Sequence, residues 1–261
     1  MILGAQFYTL RDFCKTTEGL DETMKKVADM GFTAIQLSGV CAYDPEWAAE
    51  RAKAYGLTIA ITHFDYNKII NDTDATIDFH KKMNCKYIGL GGAPAMLTKY
   101  DEYLTEIPAA MDKIADAGLL FCYHNHDMEF GKYPATGKLY MDDMCDRFPA
   151  DKMGFTLDTY WVQAGGGDPA QWIEKLEGRI HCIHFKDMTN LVQVDENGKP
   201  KRSARIAPIG EGNMNYDRII EACLKTGVEY GLVELDDCYG ADPFDCMKRS
   251  YEFLSSRYGL K

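Results

Sequence analysis

No apolar run in this 261-residue chain approaches the roughly 20 residues of a membrane span. The first residues, Met1-Ile2-Leu3-Gly4-Ala5-Gln6, reach Arg11 without the longer apolar stretch of a secretory leader. Both absences argue against a membrane partner and point to the cytoplasm. Positive charge is scarce too: 29 Lys and Arg face 40 Asp and Glu, for a net charge of −11. A nucleic-acid backbone needs a basic footprint, so nucleic acid is not the expected partner. The nine cysteines are odd in number, and none is paired at zinc-finger spacing. Cys122, Cys182 and Cys223 sit inside apolar runs, as reduced core thiols do in an intracellular protein. No Gly-rich dinucleotide fingerprint opens the first helical segment, which argues against a doubly wound open sheet. Gly165-Gly166-Gly167-Asp168 lacks a following Lys-Ser/Thr pair and reads as a turn into a helix started by Pro169 rather than a phosphate loop.

What the chain does have is an unbroken strand–helix alternation. With 46% hydrophobic and 26% charged residues, it can bury one large core or two smaller ones. Apolar runs at 2–6, 34–37, 57–61, 87–90, 119–123, 154–157, 180–183 and 232–233 read as strands. Helical spacing marks 20–30, 45–55, 74–83, 103–117, 141–147, 169–176, 216–225 and 243–258, with Gly31, Gly56 and Gly118 as stops. This pattern in a chain of about 250 residues fits an α/β fold, a (β/α)8 TIM barrel spanning 1–261 as one domain. The longest irregular stretch, 188–214, is charged and contains Asn197-Gly198, so a loop or hairpin excursion over the active face is expected there.

The ends of the later strands carry the chemistry. The run 153–157 ends on Asp158, the run 180–183 on His184, and the run 230–233 on Glu234. The run 119–123 ends on His124-Asn125-His126, with Glu129 just beyond. Parallel strands of a barrel bring their C-terminal ends to one face, so these groups converge there although they are scattered in sequence. Asp, His and Glu form a hard oxygen and nitrogen donor set suited to a divalent ion: Mn²⁺ first, with Mg²⁺, Co²⁺ or Zn²⁺ as alternatives. Each residue also has a plainer reading. An Asp at a strand end can cap the next turn, a strand-end aromatic can be barrel packing, and Lys186 can be a solvated loop lysine. His181, three residues before His184, is expected to face the helices as a core histidine.

The segments Met30-Gly31-Phe32-Thr33-Ala34-Ile35-Gln36-Leu37, Tyr123-His124-Asn125-His126-Asp127-Met128-Glu129-Phe130, Leu157-Asp158-Thr159-Tyr160-Trp161, His184-Phe185-Lys186-Asp187 and Gly210-Glu211-Gly212 resemble the sugar phosphate isomerase/epimerase-like family. That family has a xylose isomerase-like TIM barrel and includes inosose dehydratases and ketose 3-epimerases. The resemblance runs through essentially the whole chain. It implies a metal site of Glu, Asp, His and Glu, carried here by Glu129, Asp158, His184 and Glu234, with His124 or His126 as the alternative to Glu129. Trp161 stands where some epimerases carry a histidine, and Lys186 where they tend to carry a small residue.

The expected activity is therefore a metal-dependent sugar isomerase, epimerase or lyase that passes through an enediolate. The substrate class is a sugar, cyclitol or keto-sugar. His124, His126 and Lys186 are the candidate acid/base residues, since an imidazole titrates near neutrality. His63 and Trp161 are candidate substrate contacts, with Phe64 and Tyr8 as further walls. A non-catalytic sugar-binding barrel, and a metal-dependent endonuclease of the same fold, are the competing readings. Six histidines and the acidic balance disfavour the endonuclease. Assembly into a homo-oligomer is left open.

Overall fold

The computed structural model describes residues 1–92 and 97–261. Eight parallel strands close a barrel: β1 (Ile2–Gln6), β2 (Ala34–Leu37), β3 (Thr58–His63), β4 (Tyr87–Leu90), β5 (Leu120–His124), β6 (Met153–Asp158), β7 (Ile180–Phe185) and β10 (Tyr230–Val233), which pairs back onto β1. They are near-continuous apolar runs because both faces are buried: helices cover the outside and side chains fill the inside. Outward residues such as Phe121, Phe155, Ile183 and Val233 join the main core. Ala34, Ile61, Cys122, Cys182, Tyr230 and Leu232 belong to a separate, smaller cluster that plugs the interior.

The plug explains where the polar residues end up. Side chains alternate along a strand, so a residue two positions beyond a plug residue also points inward, but at the C-terminal mouth. Cys122 leads in this way to His124, Cys182 to His184, Leu232 to Glu234, Ala34 to Gln36 and Ile61 to His63. Strand register then sets them level, with His184 paired to Asp158 on one side and to Leu232 on the other.

One local expectation is corrected. His181 does not face the helices. The β6–β7 pairing steps from Ile180 directly to Cys182, so His181 sits at an irregularity, where its ring stacks on Tyr87 at 5.1 Å. After Asp158 the chain enters a short helix, Thr159–Ala164, for which Asp158 is the N-cap. All nine cysteines are free, and no described helix is long and apolar enough to cross a membrane.

The excursion is a two-stranded ribbon of β8 (Asp187–Val194) and β9 (Pro200–Ala207), in unbroken register from Asp187↔Ala207 to Val194↔Pro200. Its tip is organised by the Asp195 carboxylate, which accepts from the N–H groups of Asn197 and Lys199. Its base is organised by the buried Asp187, which accepts from the N–H groups of Met188, Gly210, Gly212 and Met214 at 2.7 to 3.2 Å. A Cβ on Gly212 would lie 2.3 Å from Asp187 Oδ1, so the Gly210-Glu211-Gly212 turn needs its second glycine for close approach. Asp187→Ala would strip these N–H groups of their shared acceptor. The expected loss is about 3 kcal/mol in urea unfolding, the scale of buried donors left unsatisfied. A loss under about 1 kcal/mol would mean that the turn is held by other contacts.

Candidate active site

At the mouth, His124, Asp158, His184 and Glu234 are fully or almost fully buried. One donor atom from each lies within 4.8 Å of the others, which makes a group that can hold a metal ion. Asp158 divides its two oxygens. Oδ1 accepts from the Trp161 N–H at 3.0 Å and caps the helix; Oδ2 faces His124 Nε2 at 3.4 Å and His184 Nδ1 at 3.7 Å. Cap and cluster roles therefore coexist in one side chain. The backbone N–H of Asp158 donates to Asn125 Oδ1 at 3.0 Å, which ties the His124-Asn125-His126 turn to the end of β6.

Two glutamines orient the other members. Gln6 Nε2 donates to Glu234 Oε1 at 2.8 Å. Gln36 Oε1 lies 2.6 Å from His184 Nε2, and a carbonyl oxygen can only accept, so His184 presents Nδ1 to the carboxylates. His184 Nδ1 and Glu234 Oε2 lie 2.8 Å apart, yet His184 Nδ1 makes no well-aligned hydrogen bond. A buried imidazole nitrogen left in this way, in a set of two imidazoles and two carboxylates, suits a divalent cation.

Lys186 completes the cluster. It is fully buried, and its Nζ lies 2.9 Å from Asp158 Oδ2, 3.0 Å from Glu234 Oε2 and 2.8 Å from Asp236 Oδ2. Burial alone would depress the lysine's pKa, but the three carboxylates outweigh it and hold the ammonium charged. Burial pushes Asp158 and Glu234 up, and Lys186 with the neighbouring imidazoles more than reverses this, leaving both well below the usual carboxylate range. Burial, with His184 nearby, lowers His124 to about 4. Burial also opposes protonation of His184, yet Glu234 and Asp158 raise its pKa. His126 is lowered mainly by burial.

Glu129 does not join this group. It lies on a short turn, Met128–Phe130, where Oε1 accepts from the Tyr123 hydroxyl and Oε2 from the His126 N–H, both at 2.8 Å. Tyr123 points away from the barrel interior because it neighbours the inward His124, and Glu129 follows it there. In the cluster, the place expected for Glu129 is taken by His124.

The cluster opens onto a cavity of about 560 Å³, lined by Gln6, Tyr8, Ser38, His63, Phe64, Tyr66, His124, His126, Glu234 and Asp236 among others. His63 Nδ1 meets Ser38 Oγ at 3.1 Å, and its ring lies 5.2 Å from that of His124. The His126 ring lies 4.8 Å from His124 and 5.2 Å from Trp161. Trp161 is not among the lining residues; it backs His126. Gln6, Gln36, Ser38 and Asp236 are site residues that strand-end chemistry alone does not flag. Their only sequence signal is a polar side chain within or just beyond a short apolar run.

A family model described as xylose isomerase-like TIM barrel matches residues 24–254, and the chain belongs to that family, which is enzymatic. A curated relative, an inosose dehydratase of Lacticaseibacillus casei, is 24% identical over 171 residues, covering 62% of this chain and 56% of the relative. The chain thus spans little more than half the length of that relative. Among solved structures, a sugar phosphate isomerase/epimerase from Parabacteroides distasonis ATCC 8503 superposes with a TM-score of 0.80 at 20% identity, over 99% of this chain and 95% of the other. An L-ribulose 3-epimerase gives 0.72 at 14% identity, over 98% and 94%. At these identities the superpositions establish the barrel fold.

Proposed function

We propose that this chain is a metal-dependent isomerase, epimerase or dehydratase of a sugar, cyclitol or keto-sugar, acting through an enediolate. The observation that carries the reading is the buried His124, Asp158, His184 and Glu234 group, which reaches a 560 Å³ cavity through His124 and Glu234, with His184 Nδ1 lacking a well-aligned hydrogen bond. These four residues would hold the ion, Mn²⁺ being the first choice for an oxygen and nitrogen set, and Glu129 is left as a support for the turn. The ion would supply Lewis acidity to a hydroxy-ketone, acidifying the adjacent C–H.

The protein's own groups do the rest. Tyr8, Phe64 and Tyr66 offer apolar faces at the entrance, on which the C–H faces of a sugar ring can rest. His126 is kept largely neutral by burial and is therefore ready to accept a proton at neutral pH. His63 reaches the same cavity from the end of β3 and His126 from the turn after β5, so a proton removed by one can be replaced through the other. Replacement on the same carbon inverts it, replacement on the neighbouring carbon moves the carbonyl, and loss of a β-hydroxyl dehydrates. The carboxylates at the mouth and the net charge of −11 disfavour a nucleic-acid substrate. On this reading the protein works in the cytoplasm on a small carbohydrate.

The test is proton exchange. Keto-sugars, inososes and 3-keto-glycosides incubated with the Mn²⁺-loaded protein in D₂O should take up deuterium next to the carbonyl, read by NMR whether or not product accumulates. Ligand binding with no exchange across the panel would favour a sugar-binding barrel without chemistry.

A further inference from the structure

Lys186 presents a conflict that the four donors alone do not show. Its ammonium contacts Asp158 Oδ2 and Glu234 Oε2 at 2.9 and 3.0 Å. These are the same two oxygens that face the imidazoles: Asp158 Oδ2 faces His124 and His184, and Glu234 Oε2 faces His184 at 2.8 Å. A lysine with 0% exposure has no solvent to relax into. A divalent ion drawing on both oxygens would sit close beside a fixed positive charge in a desolvated site, where like charges interact strongly. The third contact provides a way out. Asp236, whose side chain is 30% exposed, holds the same Nζ at 2.8 Å and lines the cavity.

We infer that the Lys186 ammonium is the resident cation of this cluster. It holds Asp158 and Glu234 in place until a divalent ion takes those two oxygens, at which point the lysine is retained by Asp236 alone. The inference rests on the proposed ligand set, and it makes metal affinity a property of the lysine as much as of the ligands. The metal-free site is preformed, because its carboxylates are never left facing one another without a cation. Metal entry is an exchange of one cation for another, and so it is weaker than the same donors would give without the lysine.

The experiment is Mn²⁺ titration calorimetry on chelator-stripped protein, comparing the native chain with Lys186→Met, which keeps the stem and removes the charge. The variant should bind Mn²⁺ at least tenfold more tightly. In Lys186→Ala, where the whole side chain is removed, the gain should be reversed by methylammonium, a small cation of the same kind, while methylammonium leaves the native affinity unchanged. Equal or weaker binding by Lys186→Met overturns the exchange and leaves the metal site standing. No Mn²⁺ binding by either protein overturns the metal site, and the exchange falls with it. If Lys186→Met folds only when Mn²⁺ is present, by circular dichroism, the exchange is supported, because the ion has replaced the lysine's charge. A variant unfolded with and without Mn²⁺ overturns it, because the fold then needs the lysine itself.

Discussion

Asp158→Asn and Glu234→Gln are each expected to weaken Mn²⁺ binding by at least about 100-fold, the upper range for losing even an outer partner of a ligand, and to abolish turnover. Both substitutions remove a negative charge and keep shape. The amide introduced by Asp158→Asn can still cap the helix through its side-chain oxygen. The amide introduced by Glu234→Gln can still accept from Gln6, so neither the helix nor the β10 end is disturbed. The stability of the metal-free protein gives the sharper result. A bare group of carboxylates would repel, and removing one charge would then stabilise the fold. Here the carboxylates already share the Lys186 ammonium, so neutralising one removes one of its three buried ion-pair contacts. The metal-free variants should therefore melt at a lower temperature than the native protein, not a higher one. Full Mn²⁺ occupancy in either variant would remove that residue from the ligand set.

The turn after β5 gives the second large effect, because three neighbouring residues are assigned three different jobs. His124→Gln should lose Mn²⁺ affinity, since its imidazole is one of the four proposed ligands. His126→Gln should keep the metal and lose deuterium exchange by roughly 10² to 10⁴, the usual contribution of a positioned acid or base. Glu129→Gln should keep the metal too. Its amide can still accept from the Tyr123 hydroxyl or the His126 N–H, and the cost is a looser turn with slower turnover. Mn²⁺ titration and single-turnover exchange on the three variants separate the roles. Metal lost in Glu129→Gln and retained in His124→Gln would exchange their assignments.

Why the strand ends are legible in the sequence and this turn is not comes down to how far alternation reaches. Asp158, His184 and Glu234 each end a short, mainly apolar run, so parity carries them to the mouth. Parity ends with the strand. Beyond His124 a three-residue turn decides direction, and Glu129 swings under Tyr123 instead of over the barrel. Gln36 looks like any polar residue inside Ala34–Leu37, and its partner His184 is 148 positions away. Lys186 stands out by its odd chemistry at that place, but its three carboxylates come from β6 and from the segment after β10, a convergence visible only in three dimensions. The helices Tyr66–Asn71 and Thr159–Ala164 have six residues each, too few to display a periodicity.

The Asp187 clamp at the base of the ribbon separates two evolutionary clocks. The turn at its base is gathered by a single carboxylate through backbone N–H groups, and backbone groups are indifferent to the identity of the side chains that leave them. The ribbon can lengthen, shorten or change its charge in descendants without moving Lys186, one peptide away. The outer part of the ribbon is therefore free to drift while the contacts of Lys186 stay fixed.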